Sequence, residues 1–387
     1  MKRLLLGLHA GCSEAGVHGA LVEMGVEDQA HRARFHLGMF QPFTVELQNW
    51  LSRSGDKPPR ETRFFPTACA IIEEEFSKAT QAVMRESKLG PGGAAAAACD
   101  EYFAGAEQSL KFQAFQDWGP GFSLARQTGL TVAALHPSKN NQKNSCHDLR
   151  DFHALRAASP HDFPFLILNL GGSIRLTAYV PGREAITLPE APCGSFLELF
   201  SSPGGLPSPG VDPLAKKAVQ GKCKEDLLTR WRNLGQAWLQ APGKNPAEYL
   251  ASLLGTAPAL EAPDLLCTAH YFVVDTILAM LGKLPKEFLE GRWFLTGPHG
   301  RNGLFRQLLA MVFSGRKLEL SDTLGIPAPS WDAFTRGVLG GLALGALAPL
   351  PGYFPRSNSP LAAFHPGGPV SWSRCLDWMN QGLAASA

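Results

Sequence analysis

The hydrophobic positions of this chain recur at two periods, and the alternation between them sets the expected architecture. Arg3–Met24 reads as an apolar strand, a glycine-containing turn and a second apolar strand, and Phe163–Val180 repeats that plan. Elsewhere apolar residues recur at helical spacing: Ala70, Ile71, Phe76 and Val83 within Ala68–Ser87, and Leu304, Leu308, Leu309 and Val312 within Gly303–Phe313. Further helices are expected at Thr44–Arg53, Asp148–Ala158, Gly194–Phe200, Pro213–Gln220, Lys224–Leu239, Pro246–Leu254 and Ala262–Leu281. A last one, Trp331–Leu347, carries Gly337, Gly340, Gly341 and Gly345, which predicts burial against another helix. Strands are expected at Arg32–Phe43, Ala94–Cys99, Leu130–Leu135, Ala185–Leu188 and Arg292–Thr296, with a helix end at Phe122–Arg126 and an ambiguous Asp100–Phe115. His136–Ser145 is polar and rich in chain breakers, hence a loop. Strands alternating with helices make this an α/β chain.

Length adds a division. A chain of 387 residues suits two domains, and a strand–glycine–strand unit opens each half. A buried strand ending in glycines presents bare backbone N–H groups that can approach a phosphate closely. The repeat therefore predicts two related lobes, 1–135 and 136–387, gripping one nucleotide, with the C-terminal helix free to return to the first lobe. A hydrophobic fraction of 45% and a charged fraction of 18% are those of a globular protein. Net charge is +2 with no dense Lys/Arg run, which gives no support to nucleic-acid or anionic-membrane binding. The eight cysteines are scattered without a CxxC pair, so reduced thiols fit better than a disulfide framework or metal cluster. Met1–Cys12 faintly resembles a lipoprotein signal, but its apolar run, Leu4–Leu8, is shorter than the roughly 7–15 residues required. Gly337–Leu350 falls short of the ~20 residues of a membrane span. A cytoplasmic protein without a membrane partner is expected.

Taken in order, the segments GLHAGCSEAG, ARQTGLTVAAL, LNLGGSIRL, APCGSF, LTGPHGRN and SDTLGIPAPSWDAF resemble the anhydro-N-acetylmuramic acid kinases. Those belong with sugar kinases, heat-shock ATPase chaperones and actin. The resemblance implies a two-lobed ribonuclease H-like α/β fold with a central interdomain cleft. It also implies ATP-dependent phosphorylation of an anhydro amino sugar in cell-wall recycling, with ATP and Mg²⁺ as cofactors and a homodimer as the assembly. The family's SGTSLDG corresponds to Ala10–Gly16, which places Gly11, Cys12, Ser13 and Gly16 at the nucleotide phosphates. Here Cys12 replaces a hydroxyl and Ala15 an acid. The family's LNIGGIAN corresponds to Leu168–Arg175, so Asn169, Gly171 and Gly172 form the second phosphate turn. GGGSRNP corresponds to Gly297, Gly300, Arg301 and Asn302 at the adenosine end, where Pro298 removes an N–H and His299 adds bulk.

The same comparison of motifs locates the chemistry. DTGPGN corresponds to Glu190–Ser195, which implies Glu190 as general base with Gly194 and Ser195 beside the sugar. On its residues alone, Glu190 after Pro189 fits a solvated loop equally well. Asp332 matches a family Glu at the substrate, while the acidic pair before it is missing. CHGQT becomes Cys99–Phe103 without its His and Gln, and the arginine-rich family loop has no counterpart in His136–Asp148. With Ala15 lacking a carboxylate there are fewer ways to hold Mg²⁺, and Glu14 beside it faces the opposite side. Lys139 and Lys143 read as solvated. Altered or weakened catalysis is therefore expected. The alternative is a catalytically inactive homologue that serves as a nucleotide-binding or protein-interaction module. A thiol or metal chemistry built on Cys12, Cys146, Cys193, His9, His18, His136 and His147 lacks ligand spacing, so these read as ordinary residues.

Overall fold

A computed structural model of the chain describes residues 2–10, 16–27, 30–45, 47, 64–90, 93–100, 121–135, 149–159, 161–198, 200, 214–240, 253, 255, 260–313, 315–344 and 362–386. The two expected hairpins form: β1 (Arg3–His9) with β2 (Gly16–Glu27), and β6 (Phe165–Leu170) with β7 (Ser173–Tyr179). Each nucleates one sheet. The first adds β3 (Ala30–Pro42) antiparallel to β2, then β4 (Ala96–Asp100) and β5 (Val132–Leu135) in parallel beyond β1. The second adds β8 (Ile186–Pro192) antiparallel to β7, then β9 (Arg292–Thr296) and β10 (Leu318–Leu320) in parallel beyond β6. Strand order and direction are thus the same in both, apart from β11 (Ala362–His365), which pairs antiparallel with β5 at the outer edge of the first sheet. Two sheets of one topology make this the two-lobed ribonuclease H-like fold.

Helices cover the sheets in layers. On one face of the first sheet, α1 (Phe64–Glu86) and α2 (Gly121–Thr128) pack Phe76, Val83 and Leu124 against Leu6, Leu8 and Ala97. Between the sheets lie α3 (Arg150–Ala158) and α8 (Trp331–Leu344), whose Phe152, Leu155, Trp331 and Phe334 share a core with Leu5 and Val22 of one sheet and Ile167 and Phe294 of the other. Outside the second sheet, α4 (Gly194–Glu198), α5 (Glu225–Gln240), α6 (Ala262–Leu281) and α7 (Gly303–Val312) bury Phe196, Trp231, Phe272 and Phe305. Because helices cover both faces, β1, β4, β6 and β7 are almost wholly buried, and all but β7 read as nearly continuous apolar runs.

Several expectations need correction. The glycines of α8 admit strands rather than another helix: a Cβ at Gly340 would overlap Ala98 of β4, and one at Gly337 would lie 2.7 Å from Val22 of β2. Pro213–Gln220 yields only a 3₁₀ turn at Ala218–Gln220, since Ala215 sits at φ 62, a left-handed conformation that breaks a helix. β10, β11 and α9 (Pro369–Ser386) escaped the periodicity reading altogether. The helix α6 is longer than Gly337–Leu350 and is long and apolar enough to cross a membrane by length and composition alone, with 67% of its apolar window buried inside the fold. The expected loop at His136–Ser145 and most of Thr44–Arg53 and Pro246–Leu254 lie outside the described residues.

Candidate active site

The glycine turns differ in what they are for. Gly11, Cys12 and Ser13 lie outside the described residues. Gly16 opens β2 opposite Pro42, and a Cβ there would sit 2.6 Å from the Phe40 ring, so strand packing alone demands glycine. At the β6–β7 turn, the Gly171 and Gly172 carbonyls accept from Gly194 N at 2.9 Å and Cys193 N at 3.0 Å. A Cβ at Gly171 would rest in ordinary contact, 3.5 Å from Asn169 Oδ1 and 3.9 Å from Asp332 Oδ2, so packing does not by itself demand glycine there.

Asn169, the last polar residue of β6, is fully buried and donates through Nδ2 to both carboxylate oxygens of Asp332 at 3.2 Å. Its Oδ1 has no hydrogen-bond partner and points at Gly297, where a Cβ would come within 2.5 Å of it. Gly297 also has φ 80, so this position excludes a side chain on two counts. Gly300 lies in the following 3₁₀ turn, Pro298–Arg301. Arg301 pairs with Asp322 at the surface. Asn302 is buried and caps α7, with Oδ1 accepting from Phe305 N at 3.1 Å and Nδ2 meeting His270 Nε2 at 3.1 Å. His299 packs its ring against Gly194, whose added Cβ would lie 2.6 Å from His299 Nε2.

Glu190 lies in an irregular stretch of β8. Ile174 pairs with Ala191 and Leu176 with Leu188, so Pro189 and Glu190 together oppose Arg175. Pro189 has no N–H to offer a ladder, and an edge strand with such a bulge tolerates it. The bulge presents Glu190 with 38% of its side chain exposed. Its Oε2 accepts from Ser173 Oγ at 2.6 Å and its Oε1 from Arg150 Nη2 at 3.2 Å.

Behind Glu190 runs a buried lattice of charges that ties the lobes together. Arg175 of β7 donates from Nε to Asp151 Oδ2 of α3 at 3.2 Å and pairs through Nη2 with Asp332 of α8. Arg336, one turn further along α8, reaches Asp332 Oδ1 at 3.2 Å and Asp100 Oδ2 of β4 at 2.7 Å. Trp331 Nε1 donates to Asp151 Oδ1 at 2.7 Å, and His9 Nδ1 stands 3.9 Å from Asp100. Burial alone would raise the Asp332 pKa, but Arg175, aided by His9, Arg336 and Arg150, holds it well below the usual carboxylate range. Asp100 is lowered against the same burial, chiefly by Arg336 and then by His9. Arg175 is in turn stabilised as a cation by Asp151, Asp332 and Glu190 against burial.

These charges were hidden from motif reading. Asp332 was singled out, whereas Asp100, Arg150, Asp151, Arg175 and Arg336 were not assigned roles. The usable signal was a lone charge in a run without other charges, as at Arg175 between Ile174 and Leu176 and at Arg336 in FTRGVLGG, because buried charges are paired. No group of three or more His, Cys, Asp and Glu side chains gathers into a metal site among the described residues. Asp100, Asp151 and Asp332 are engaged by guanidinium groups, so these carboxylates do not fit a resident Mg²⁺. Thiol chemistry fares no better: Cys193 is fully buried, and burial pushes its thiol up, away from thiolate. Cys12 and Cys146 lie outside the described residues.

Comparison with known proteins places the chain among kinases. The family model described as anhydro-N-acetylmuramic acid kinase matches residues 3–363. An anhydro-N-acetylmuramic acid kinase of Streptomyces coelicolor is 23% identical over 377 residues, covering 94% of both chains. One from Bordetella petrii is 25% identical over 341 residues, covering 84% of this chain and 86% of its own. Among solved structures, component A of the Acidaminococcus fermentans (R)-2-hydroxyglutaryl-CoA dehydratase superposes with a TM-score of 0.44 at 10% identity, covering 87% of this chain and 97% of its own.

Proposed function

The chain belongs to the anhydro-N-acetylmuramic acid kinase family, and we propose that it is an ATP-dependent phosphotransferase acting on the hydroxyl of an anhydro amino sugar, with weakened catalysis. One observation carries this reading: Glu190 is a carboxylate with 38% of its side chain exposed, hydrogen-bonded to Ser173 directly after the Gly171-Gly172 turn. A base is thereby set beside a candidate phosphate cradle. A carboxylate has about four lone-pair sites, and Arg150 and Ser173 occupy two, so Glu190 keeps room for an incoming proton.

ATP would supply the phosphoryl group. A glycine at 171 that packing does not demand and the unpartnered Asn169 Oδ1 support a nucleotide there, the latter as acceptor for a ligand hydroxyl or amine. Glu190 would take the proton of the sugar hydroxyl as the hydroxyl oxygen bonds to the γ-phosphorus, the bond to the β–γ bridging oxygen breaks and ADP leaves, a contribution of roughly 10²–10⁴-fold for a positioned base. The weakening is read from neighbouring residues. Asp332, expected at the sugar, receives Asn169, Arg175 and Arg336 and has 3% of its side chain exposed, so we assign it a structural role. Asp100, Asp151 and Asp332 offer little to Mg²⁺, and positioning and charge neutralisation dominate phosphoryl transfer. A cytoplasmic homodimer is part of the same proposal.

His299 against Gly194 favours a second reading, in which the cleft binds nucleotide without turnover. Calorimetric titration of ATP with and without Mg²⁺, followed by turnover assays on anhydro-N-acetylmuramic acid, separates the two. Saturable ATP binding with slow turnover, reduced at least about 100-fold in Glu190→Gln, is expected. Binding without turnover would select the second reading, and no binding in either buffer would sink both.

A further inference from the structure

Glu190 has one more methylene than the aspartate the family motif places there, and a longer side chain has more ways to miss. Catalytic groups need holding within roughly 0.5 Å of the productive geometry. A displacement near 1 Å costs about a hundredfold in rate. Something must therefore restrain this carboxylate.

The restraint is visible on both of its oxygens. Ser173, the first residue of β7, takes Oε2 at 2.6 Å, and Arg150, the first residue of α3, takes Oε1 at 3.2 Å. The two donors come from different elements, so the grip is only as good as the alignment of α3 with β7. That alignment is secured two positions along β7 and one along α3. Arg175 follows Ser173 by two residues and so lies on the same face of β7. Asp151 follows Arg150 on α3. Arg175 donates to both Asp151 oxygens, at 3.2 and 3.4 Å, and Trp331 Nε1 adds a third bond to Asp151 at 2.7 Å. The side chains of Arg150, Asp151 and Arg175 are 6%, 1% and 7% exposed, so water competes little for these bonds.

We infer that Arg150 and Ser173 are positioning residues that clamp Glu190 as the base, and that the Arg175–Asp151 pair sets the jaws of that clamp. The inference rests on the reading of Glu190 as base. The β8 bulge turns the carboxylate toward the jaws, and two hydrogen bonds, one to a guanidinium, supply the stiffness that the longer stem lacks. The lobe-spanning lattice is then part of catalysis as well as of folding, because Arg175 joins both.

The test uses the full-length protein with ATP and anhydro-N-acetylmuramic acid. In Arg150→Gln, kcat should fall about 10- to 100-fold while the KM and calorimetric Kd for ATP stay within about twofold. Arg150→Lys should recover most of the loss, and Ser173→Ala should repeat it through the other oxygen. Added to Glu190→Gln, Arg150→Gln should cause no further loss, since a clamp without its carboxylate has nothing to hold. A parallel loss of ATP affinity, or an undiminished effect of Arg150→Gln in the Glu190→Gln background, would show a merely structural role and overturn the inference. Glu190-dependent turnover indifferent to both Arg150→Gln and Ser173→Ala would remove the clamp and leave the base. Wild-type protein without turnover, or full turnover in Glu190→Gln, would remove both.

Discussion

Arg336 is fully buried on α8 and directs its nitrogens to one carboxylate far away in sequence and one a turn behind it: Nε to Asp100 at 2.8 Å, Nη2 to Asp100 at 2.7 Å and Nη1 to Asp332 at 3.2 Å. Desolvating such charges is expensive, so the lattice is weak evidence of net stability, yet removing one member leaves the others uncompensated. Arg336→Met should therefore lower the unfolding free energy by about 3–5 kcal/mol, read from urea midpoints at constant m-value. A loss under about 1 kcal/mol would mean that Asp100 and Asp332 find other partners and that the lattice is not organised around this residue. Asn302 makes the complementary point. The motif reading assigned it to the nucleotide, and its neighbours employ both ends of its amide, capping α7 and meeting His270.

Among the elements, α8 shows how composition becomes packing. Its glycines let the helix lie directly on the first sheet: Gly337 over Val22, Gly340 over Ala98, and Gly341 with Leu5 and Met24 at 2.8 and 2.9 Å from a would-be Cβ. Gly7 of β1 answers from the sheet, where a Cβ would overlap the Ala333 carbonyl. That contact also brings the N-terminal turn of α8, with Trp331 and Asp332, into the lattice between the lobes. Gly340→Val should cost at least 2 kcal/mol by overpacking, whereas Gly303→Ala, at the start of α7 with nothing within 4 Å, should be neutral or stabilising by about 0.5–1 kcal/mol. Thermal unfolding of the two variants measures this directly, and equal effects would refute the argument from close approach.

At the scale of the molecule, stability should fall in mild acid. His153 of α3 is buried, and burial, followed by the proximity of His31, lowers its pKa from 6.5 to about 4. Between those values the unfolded chain binds a proton that the folded one refuses, so stability decreases as pH drops through this window. At about 1.4 kcal/mol per pH unit, the full drop is worth about 3 kcal/mol. Asp100 and Asp332, lowered by their arginines, act separately: their contribution is complete above the unfolded carboxylate pKa and is lost only below about pH 4. Urea unfolding at pH 7 and pH 5 should show the first effect in the wild type and a smaller one in His153→Leu. A wild type equally stable at both would contradict the burial argument.

Local pattern determined a good deal. The strand–glycine–strand repeat, the bounds of α6 and β9, and the motif order behind the family resemblance are properties of neighbouring residues, and they are legible because period and turn chemistry are local. Glu190 was reached only through that motif order, since on its own residues a solvated loop fits it equally well. Tertiary structure alone decided which charge meets which. Arg336 and Asp100 are 236 positions apart, Trp331 and Asp151 180, and Arg175 and Asp332 157. Periodicity can say that such residues are buried, but a partner is assigned only when two sheets and the helices between them bring distant faces into contact.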